Sequence, residues 1–315
     1  MREPPISTAR WLIWVMFLLV LLSFAQPAKV SQPRANNQDT IRINVELVVL
    51  HATVLNRKHL PVAGLGKADF QVYEDGVLQE IESFSHEDIP VTVGLVIDNS
   101  GSMLPKRTEV IAAALAFVRS SNTKDQLFLV NFNEHVTFGL PATMPFSDNV
   151  AQSEVALSTI TANGKTALYD AVAVALEHLK KGKRDKQVLI VISDGADNAS
   201  QHNAAQVLVT AKQSEAIIYT IAIYEQDDPD RDPGSLKQLA KATGGEAFLP
   251  RSVKDATAIC ERIARDIRNQ YTLTYTPTNI KYNGNYRSIQ VKAGVPGGEH
   301  LFVRTRAGYY APLRP

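Results

Sequence analysis

The stretch VGLVIDNSGSMLP, residues 93–105, changes abruptly from apolar to polar at Asp98. Together with the two residues before it, the apolar half is typical of a strand that is buried on both faces of a sheet. One acid and two serines then follow at alternate positions, Asp98, Ser100 and Ser102. Taken alone, the stretch is compatible with a turn, with the nucleophile of a phosphotransferase or with a metal site.

Further buried strands occur later in the chain, and they alternate with helical patterns. Apolar runs predict strands at residues 126–132, 186–195 and 216–224, and a short one at 246–250. Helices are predicted at residues 107–121, 166–182, 203–214, 234–245 and 253–271. This alternation predicts an α/β domain over residues 90–270, with a doubly wound, mostly parallel, Rossmann-like sheet that carries helices on both faces.

The segments on either side of this domain alternate with a period of two, which is typical of strands. Residues 41–89 contain strand patterns and the turn signal Asp75–Gly76, and three more strands are predicted after residue 270, in QYTLTYTP, YRSIQVKA and LFVRTRAGYY. Neither group has enough strands for a stable sheet of its own. We therefore expect residues 41–89 and 271–315 to pair into one small, discontinuous, sandwich-like β-domain, in which the α/β domain is inserted.

The first 40 residues resemble an export leader and a linker. Two arginines, the apolar run Trp11–Leu22 and small residues at Ser23 and Ala25 predict a signal peptide over residues 1–25. The run is shorter than the roughly 20 residues that a membrane span needs, so membrane contact is expected only if the leader stays uncleaved. Residues 26–40 are polar and contain proline, as a linker does. The folded part is therefore expected to be exported, to the periplasm, the cell envelope or the medium.

Composition limits the other functional classes. The 315 residues carry a net charge of +1 with no long block of one sign, which argues against a nucleic-acid partner. The single cysteine, Cys260, has no second thiol with which to form a disulfide or a cysteine-rich zinc site.

Oxygen-bearing side chains converge on one edge of the predicted sheet. Asp98, Ser100 and Ser102 follow one buried strand, Asp194 follows another, and Thr166 begins a helix from a neighbouring loop. Ligands of open parallel sheets lie beyond the carboxyl ends of the strands. Two carboxylates and three hydroxyls are hard ligands that suit Mg²⁺, and also Mn²⁺ or Ca²⁺, better than zinc or copper.

These residues resemble the metal-ion-dependent adhesion site of the von Willebrand factor A domain family, in the order Asp98-x-Ser100-x-Ser102, Thr166, Asp194-Gly195. The whole chain is also similar to a bacterial exported subgroup of that family. The resemblance implies direct ligation by the serines and commonly by Thr166, with Asp98 and Asp194 often acting through water. It also implies that an Asp or Glu of a protein partner takes the last position.

Three further residues are expected at the partner-binding rim, Asn99, Lys165 and Asp197. Lys165 departs from the family pattern, and its charge either weakens the ion or steers an acidic partner.

We expect binding without catalysis, since no nucleophile–base pair is visible beside the hydroxyls. A phosphotransferase of the haloacid dehalogenase type would need an acid where Ser100 stands. The alternatives are a cell-envelope scaffold with a purely structural metal and, less favoured, a metal-assisted hydrolase. The sequence does not indicate the oligomeric state.

Overall fold

The computed structural model of the protein describes residues 47–158, 162–224, 232–294, 298 and 300–313. The predicted leader, the predicted linker and residues 41–46 lie outside this part of the chain. The described strands are β1 (Val48–Leu55), β2 (Phe70–Glu74), β3 (Val77–Gln79), β4 (Ser83–Ser85), β5 (Val91–Asp98), β6 (Gln126–Phe132), β7 (Val136–Phe138), β8 (Lys186–Ser193), β9 (Ile217–Ala222), β10 (Ala247–Phe248), β11 (Tyr271–Tyr275), β12 (Tyr286–Ala293), β13 (Phe302–Arg304) and β14 (Gly308–Tyr310). The described α-helices are α1 (Arg107–Ser120), α2 (Val150–Ser158), α3 (Leu168–Leu179), α4 (Ala204–Gln213), α5 (Pro233–Thr243) and α6 (Ala256–Arg268).

The central sheet has the strand order β10-β9-β8-β5-β6-β7. Its neighbours run parallel, except that β7 is antiparallel to β6. Strands β5 and β8 lie side by side, with Ile97 opposite Ile192. Because both strands run the same way, the loops that follow Asp98 and Ser193 leave the sheet at one edge.

The central sheet packs against helices on both faces. One core lies under α1, α2 and α6, and the other lies under α3, α4 and α5. In β5, Leu95 and Ile97 belong to the first core and Val96 to the second. Burial on both faces is the structure that the continuous apolar run indicates.

Gly94 interrupts the apolar run of β5 because a side chain has no room there. A Cβ at this position would lie 2.3 Å from Phe128 Cζ and 2.5 Å from Leu189 Cδ2. Phe128 is the neighbour of Gly94 on β6 and is almost fully buried. The aromatic ring therefore occupies the space that the glycine leaves.

Strands from both ends of the described chain form two antiparallel sheets, β13-β1-β11-β4 and β14-β12-β2-β3. Strand β1 pairs with β11, and β2 pairs with β12. Leu50, Val72, Tyr271 and Val291 come from different strands of the two sheets and share one core. The predicted fold class, a mostly parallel α/β sheet with an accompanying sandwich of strands from both ends, is confirmed. The domain limits at 90 and 270 stay predictions.

Some predicted elements differ in detail from the structure. The segment LFVRTRAGYY, predicted as one strand, is divided into β13 and β14, which belong to different sheets. The chain changes sheet at residues 305–307, where it passes Gly244 at the end of α5 so closely that a Cβ there would be 2.5 Å from Arg306 N. Helix α2 and strand β7 were not predicted.

The described residues contain no helix with the length and apolar character that a membrane span requires.

Candidate metal centre

The loops that follow β5 and β8 bring four of the predicted ligands together. Ser100 Oγ and Ser102 Oγ are 3.2 Å apart. Ser102 Oγ donates a 2.5 Å hydrogen bond to Asp194 Oδ2. Asp98 ends β5, and its Oδ1 accepts a hydrogen bond from the backbone N–H of Ser100 at 2.9 Å. This local bond turns the chain sharply after the strand, so the serines lie next to the acid that precedes them.

The turn after β8 places Asp194 in the same way. Asp194 Oδ1 accepts the backbone N–H of Ala196 at 3.1 Å. Gly195 has a φ of +88°, a conformation that glycine adopts without strain. A Cβ on Gly195 would also lie 2.5 Å from the carbonyl oxygen of Asp232. Glycine is therefore required at position 195 by both backbone conformation and packing.

Thr166, the fifth predicted ligand, is held against the loop after β8 through its backbone. Its N–H donates to Asn198 Oδ1 at 2.8 Å. Its carbonyl oxygen accepts the N–H groups of Asn198 and Ala199 at 2.9 and 3.0 Å. These three bonds fix the loop of Thr166 to the loop that begins with Asp194.

Main-chain hydrogen bonds also join the loop of Thr166 to the loop after β5. Asn163 N–H donates to the Asn99 carbonyl at 2.9 Å, and Gly101 N–H donates to the Gly164 carbonyl at 3.0 Å. Each of the three loops is thus bonded to the other two.

Residues 92–262 match the sequence profile of the von Willebrand factor type A domain. The chain belongs to this family. A curated relative, the inter-alpha-trypsin inhibitor heavy chain H4 of Bos taurus, is 27% identical over 128 residues, which are 38% of this chain and 14% of that protein. The match therefore spans only a small part of the bovine protein.

Solved structures of von Willebrand factor A domains also resemble the chain. One is a von Willebrand factor type A structure from Catenulispora acidiphila, 15% identical with a TM-score of 0.50, covering 86% of this chain and 75% of that one. Another is the vWF domain of the type V pili tip protein Mfa5 from Porphyromonas gingivalis, 15% identical with a TM-score of 0.49, covering 57% and 95%. The first of these likenesses shows a shared fold.

The three predicted rim residues occupy different environments in this von Willebrand factor A domain. Lys165 is exposed, and its N–H donates to Glu134 Oε2 at 2.8 Å. Asn99 is only 6% exposed, so its side chain is not presented to a partner. Asp197 is half-buried, and its Oδ2 accepts Tyr169 N–H at 2.9 Å in the first turn of α3. Of the three, the structure brings only Lys165 to the exposed rim.

Sequence reasoning gave no role in the site to two residues that the structure joins to predicted ligands, Ser193 and Asn198. Ser193 Oγ donates to Asp98 Oδ2 at 2.6 Å, and Asn198 holds Thr166 as described above. A polar residue directly after the apolar run of residues 188–192 is a signal for the first. No pattern in the sequence indicated the second, because its partner is 32 residues away.

The two carboxylates of the site are buried without a cationic side chain. Asp98 is 2% exposed and Asp194 is fully buried. Neither forms a salt bridge within the described part of the chain. Burial, and after it the nearby charge of Asp194, raises the pKa of Asp98 from 3.8 to about 6. A cation between the loops would remove this unfavourable concentration of negative charge.

The donor set fits a hard divalent cation. It consists of two carboxylates and three hydroxyls, so its formal charge of about −2 balances the ion. Over the described ranges no group of three or more His, Cys, Asp or Glu side chains is placed to hold a metal. An ion at this edge would therefore depend on the hydroxyls of Ser100, Ser102 and Thr166 as well as on the acids.

Proposed function

We propose that this von Willebrand factor A domain binds one divalent cation, Mg²⁺ in the first place and otherwise Mn²⁺ or Ca²⁺, and through it the carboxylate of a protein partner. The observation that carries the proposal is the pair of buried acids, Asp98 and Asp194, beside three hydroxyl-bearing residues and without a cationic side chain within the described residues.

The residues divide into two roles. The hydroxyls of Ser100, Ser102 and Thr166 are the proposed direct ligands, since they are neutral and leave the cation electrophilic. Asp98 contributes mainly charge, because both of its oxygens already accept hydrogen bonds, from Ser100 N–H and from Ser193 Oγ. A bound cation would offset the charge of the two acids and offer one position to an oxygen from outside.

The partner is proposed to present an exposed Asp or Glu. Ser102 is exposed at the surface of the site and Lys165 is exposed on the adjoining loop, so an incoming carboxylate would meet a cation and an ammonium group together. The charge of Lys165 would then raise the rate of encounter with acidic partners more than the final affinity.

Binding is favoured over catalysis and over a purely structural metal. Across the described residues, no histidine hydrogen-bonds the hydroxyl of Ser100, Ser102 or Thr166, so the hydroxyl–histidine pair that many hydrolases use is not formed at this site. The loops are already joined by their own hydrogen bonds, which favours a metal that serves binding over one that only holds the loops together. We further propose that the protein acts after export, which accords with the predicted leader.

The first experiment titrates Mn²⁺ into the protein and follows free Mn²⁺ by electron paramagnetic resonance, with Mg²⁺ as competitor. Asp98→Ala is expected to weaken binding at least about tenfold, since it removes one of two charges that attract the ion. The matched control is Asp148→Ala. Asp148 is exposed and adjoins Ser147, which bridges Leu127 near the amino end of β6, the opposite edge of the sheet.

The second experiment tests the partner. Cell-envelope extract is passed over immobilised protein with Mg²⁺ or with EDTA, before and after the carboxylates of the extract are capped by amidation. Capture that requires both Mg²⁺ and free carboxylates supports the proposal. If the protein binds the metal but captures the same proteins with EDTA and after amidation, the scaffold with a structural metal is favoured. If the wild type binds neither Mn²⁺ nor Mg²⁺, the proposed function is overturned.

A further inference from the structure

Thr166 is the proposed ligand whose position depends most on a neighbouring loop. The residue is 3% exposed, and it lies in the loop before α3 rather than at the end of a strand. Its backbone N–H donates to the side-chain oxygen of Asn198 at 2.8 Å, and its carbonyl accepts the N–H of Asn198 at 2.9 Å. Asn198 therefore forms hydrogen bonds with both backbone groups of Thr166, one through its side chain and one through its backbone.

We infer that Asn198 is a positioning residue for the metal centre, which fixes the backbone of Thr166 so that the Thr166 hydroxyl points to the cation. The inference rests on the proposed function. The Thr166 hydroxyl is joined to the backbone by one rotatable bond, and the backbone φ and ψ decide which rotamers of that bond are allowed. Whatever fixes the Thr166 backbone therefore fixes where the Cβ lies and limits the directions in which the hydroxyl can point.

The side chain of Asn198 provides one of these two hydrogen bonds. Among the described residues, Asn198 Oδ1 is the acceptor of the Thr166 N–H. Truncation to alanine would remove that acceptor, and because Asn198 itself is exposed, water would replace it as a partner that does not hold the Thr166 N–H in place. The bonds from Asn198 N–H and Ala199 N–H to the Thr166 carbonyl do not involve the side chain, so the loop would loosen on one side without detaching.

The experiment measures Mn²⁺ affinity, by electron paramagnetic resonance, in variants of the whole chain. Asn198→Ala is expected to weaken Mn²⁺ binding by about tenfold or more, as is usual when the residue that orients a metal ligand is lost. Asn198→Asp keeps the acceptor oxygen and is expected to bind at least as tightly as the wild type.

The matched control is Asn203→Ala, which loses a comparable bond elsewhere. Asn203 Oδ1 accepts Gln206 N–H at 3.0 Å and caps α4. Both alanine variants are expected to show similar losses of stability in EDTA, measured by urea unfolding. Only Asn198→Ala is expected to change Mn²⁺ affinity.

A double-mutant cycle separates positioning from general damage. In a Thr166→Ala background the ligand is already absent, so Asn198→Ala is expected to change Mn²⁺ affinity less than about twofold. An equal effect of Asn198→Ala in both backgrounds would overturn the inference, as would wild-type affinity in Asn198→Ala. Both results leave the proposed function intact, whereas a wild type that binds no Mn²⁺ would overturn the proposed function and this inference together.

Discussion

Ser193 Oγ donates a 2.6 Å hydrogen bond to Asp98 Oδ2, across the ends of the adjacent strands β8 and β5. The same hydroxyl oxygen accepts the N–H of Gly195 at 3.0 Å. Both Ser193 and Asp98 are almost fully buried. The Ser193 hydroxyl therefore links Asp98 by hydrogen bonds to the turn that contains Asp194.

Ser193→Ala is expected to destabilise the protein in EDTA. The change leaves a buried carboxylate oxygen without a donor and the Gly195 N–H without an acceptor, which costs about 1–3 kcal/mol. Urea unfolding at pH 7.5 measures the loss. Ser121→Ala is the control, because the half-buried hydroxyl of Ser121 donates only to the Phe117 carbonyl. Equal stabilities of the two variants would contradict the role given to Ser193.

The sheet and the edge that carries the site could be predicted from the sequence because both depend on local patterns. Continuous apolar runs indicate strands buried on both faces, and an acid directly after such a run marks the carboxyl end of the strand. Asp98 and Asp194 each follow a strand of this kind, so their convergence follows from the parallel arrangement alone.

The remaining features depend on contacts that are distant in the sequence. The alternation of residues 301–310 is continuous, yet the chain changes sheets at residues 305–307, where its backbone passes close to Gly244. Asn99 lies in a run of turn-forming residues, which predicts an exposed side chain. In the structure its backbone is hydrogen-bonded to the backbones of Phe132 and Asn163, and the residue is buried. The role of Asn198 likewise requires a partner from another loop.

Arg287→Ala is expected to be among the more destabilising single changes in the sandwich. Arg287 Nη1 lies 3.1 Å from Glu74 Oε1, with side chains 5% and 1% exposed. The hydroxyls of Tyr275 and Tyr309 donate to the other oxygen of Glu74 at 2.7 and 2.9 Å. Removal of the guanidinium leaves a buried carboxylate without a countercharge, at a cost of about 3–5 kcal/mol in urea unfolding.

The control for Arg287 is an exposed ion pair. Arg119 Nη2 lies 2.8 Å from Glu154 Oε1, and the two side chains are 63% and 34% exposed. Arg119→Ala is therefore expected to lower the free energy of unfolding by less than about 1 kcal/mol. Similar losses for the two arginines would show that burial of the Glu74 pair has no energetic consequence.

Gly94→Ala is expected to destabilise the central sheet by about 1–3 kcal/mol, because the new methyl group enters the space of the Phe128 ring. Phe128→Leu removes the far end of that ring, so the double variant should be more stable than the sum of the single changes predicts, by about 1 kcal/mol. Gly66→Ala is the control, because the nearest atom to its Cβ would be Asp69 Oδ2 at 3.8 Å. Strict additivity at Gly94 and Phe128 would contradict the close packing of β5 against β6.

Lys186 should make stability depend on pH above neutrality. It begins β8, is 3% exposed, and its Nζ donates to the carbonyl of Ile267 at the end of α6. Burial lowers the pKa of Lys186 from 10.5 to about 7, against the opposing effect of Asp88 and Asp125. Burial, and after it the charges of Lys186 and Arg306, lowers the pKa of His51 on strand β1 from 6.5 to about 3.

The sign of the effect follows from where the proton is held. Between about pH 7 and 10.5 the unfolded chain keeps the proton of Lys186 and the folded protein releases it. Stability therefore rises with pH across this window, by about 1.4 kcal/mol per pH unit at most, and is lowest for this group below pH 7. Lys186→Met is expected to remove this rise of stability with pH. The control is Lys183→Met, which is expected to keep it because Lys183 is exposed. Urea unfolding of the three proteins at pH 6.5, 8 and 9.5 measures the slopes, and parallel profiles for the wild type and Lys186→Met would show that Lys186 keeps its proton in the folded protein.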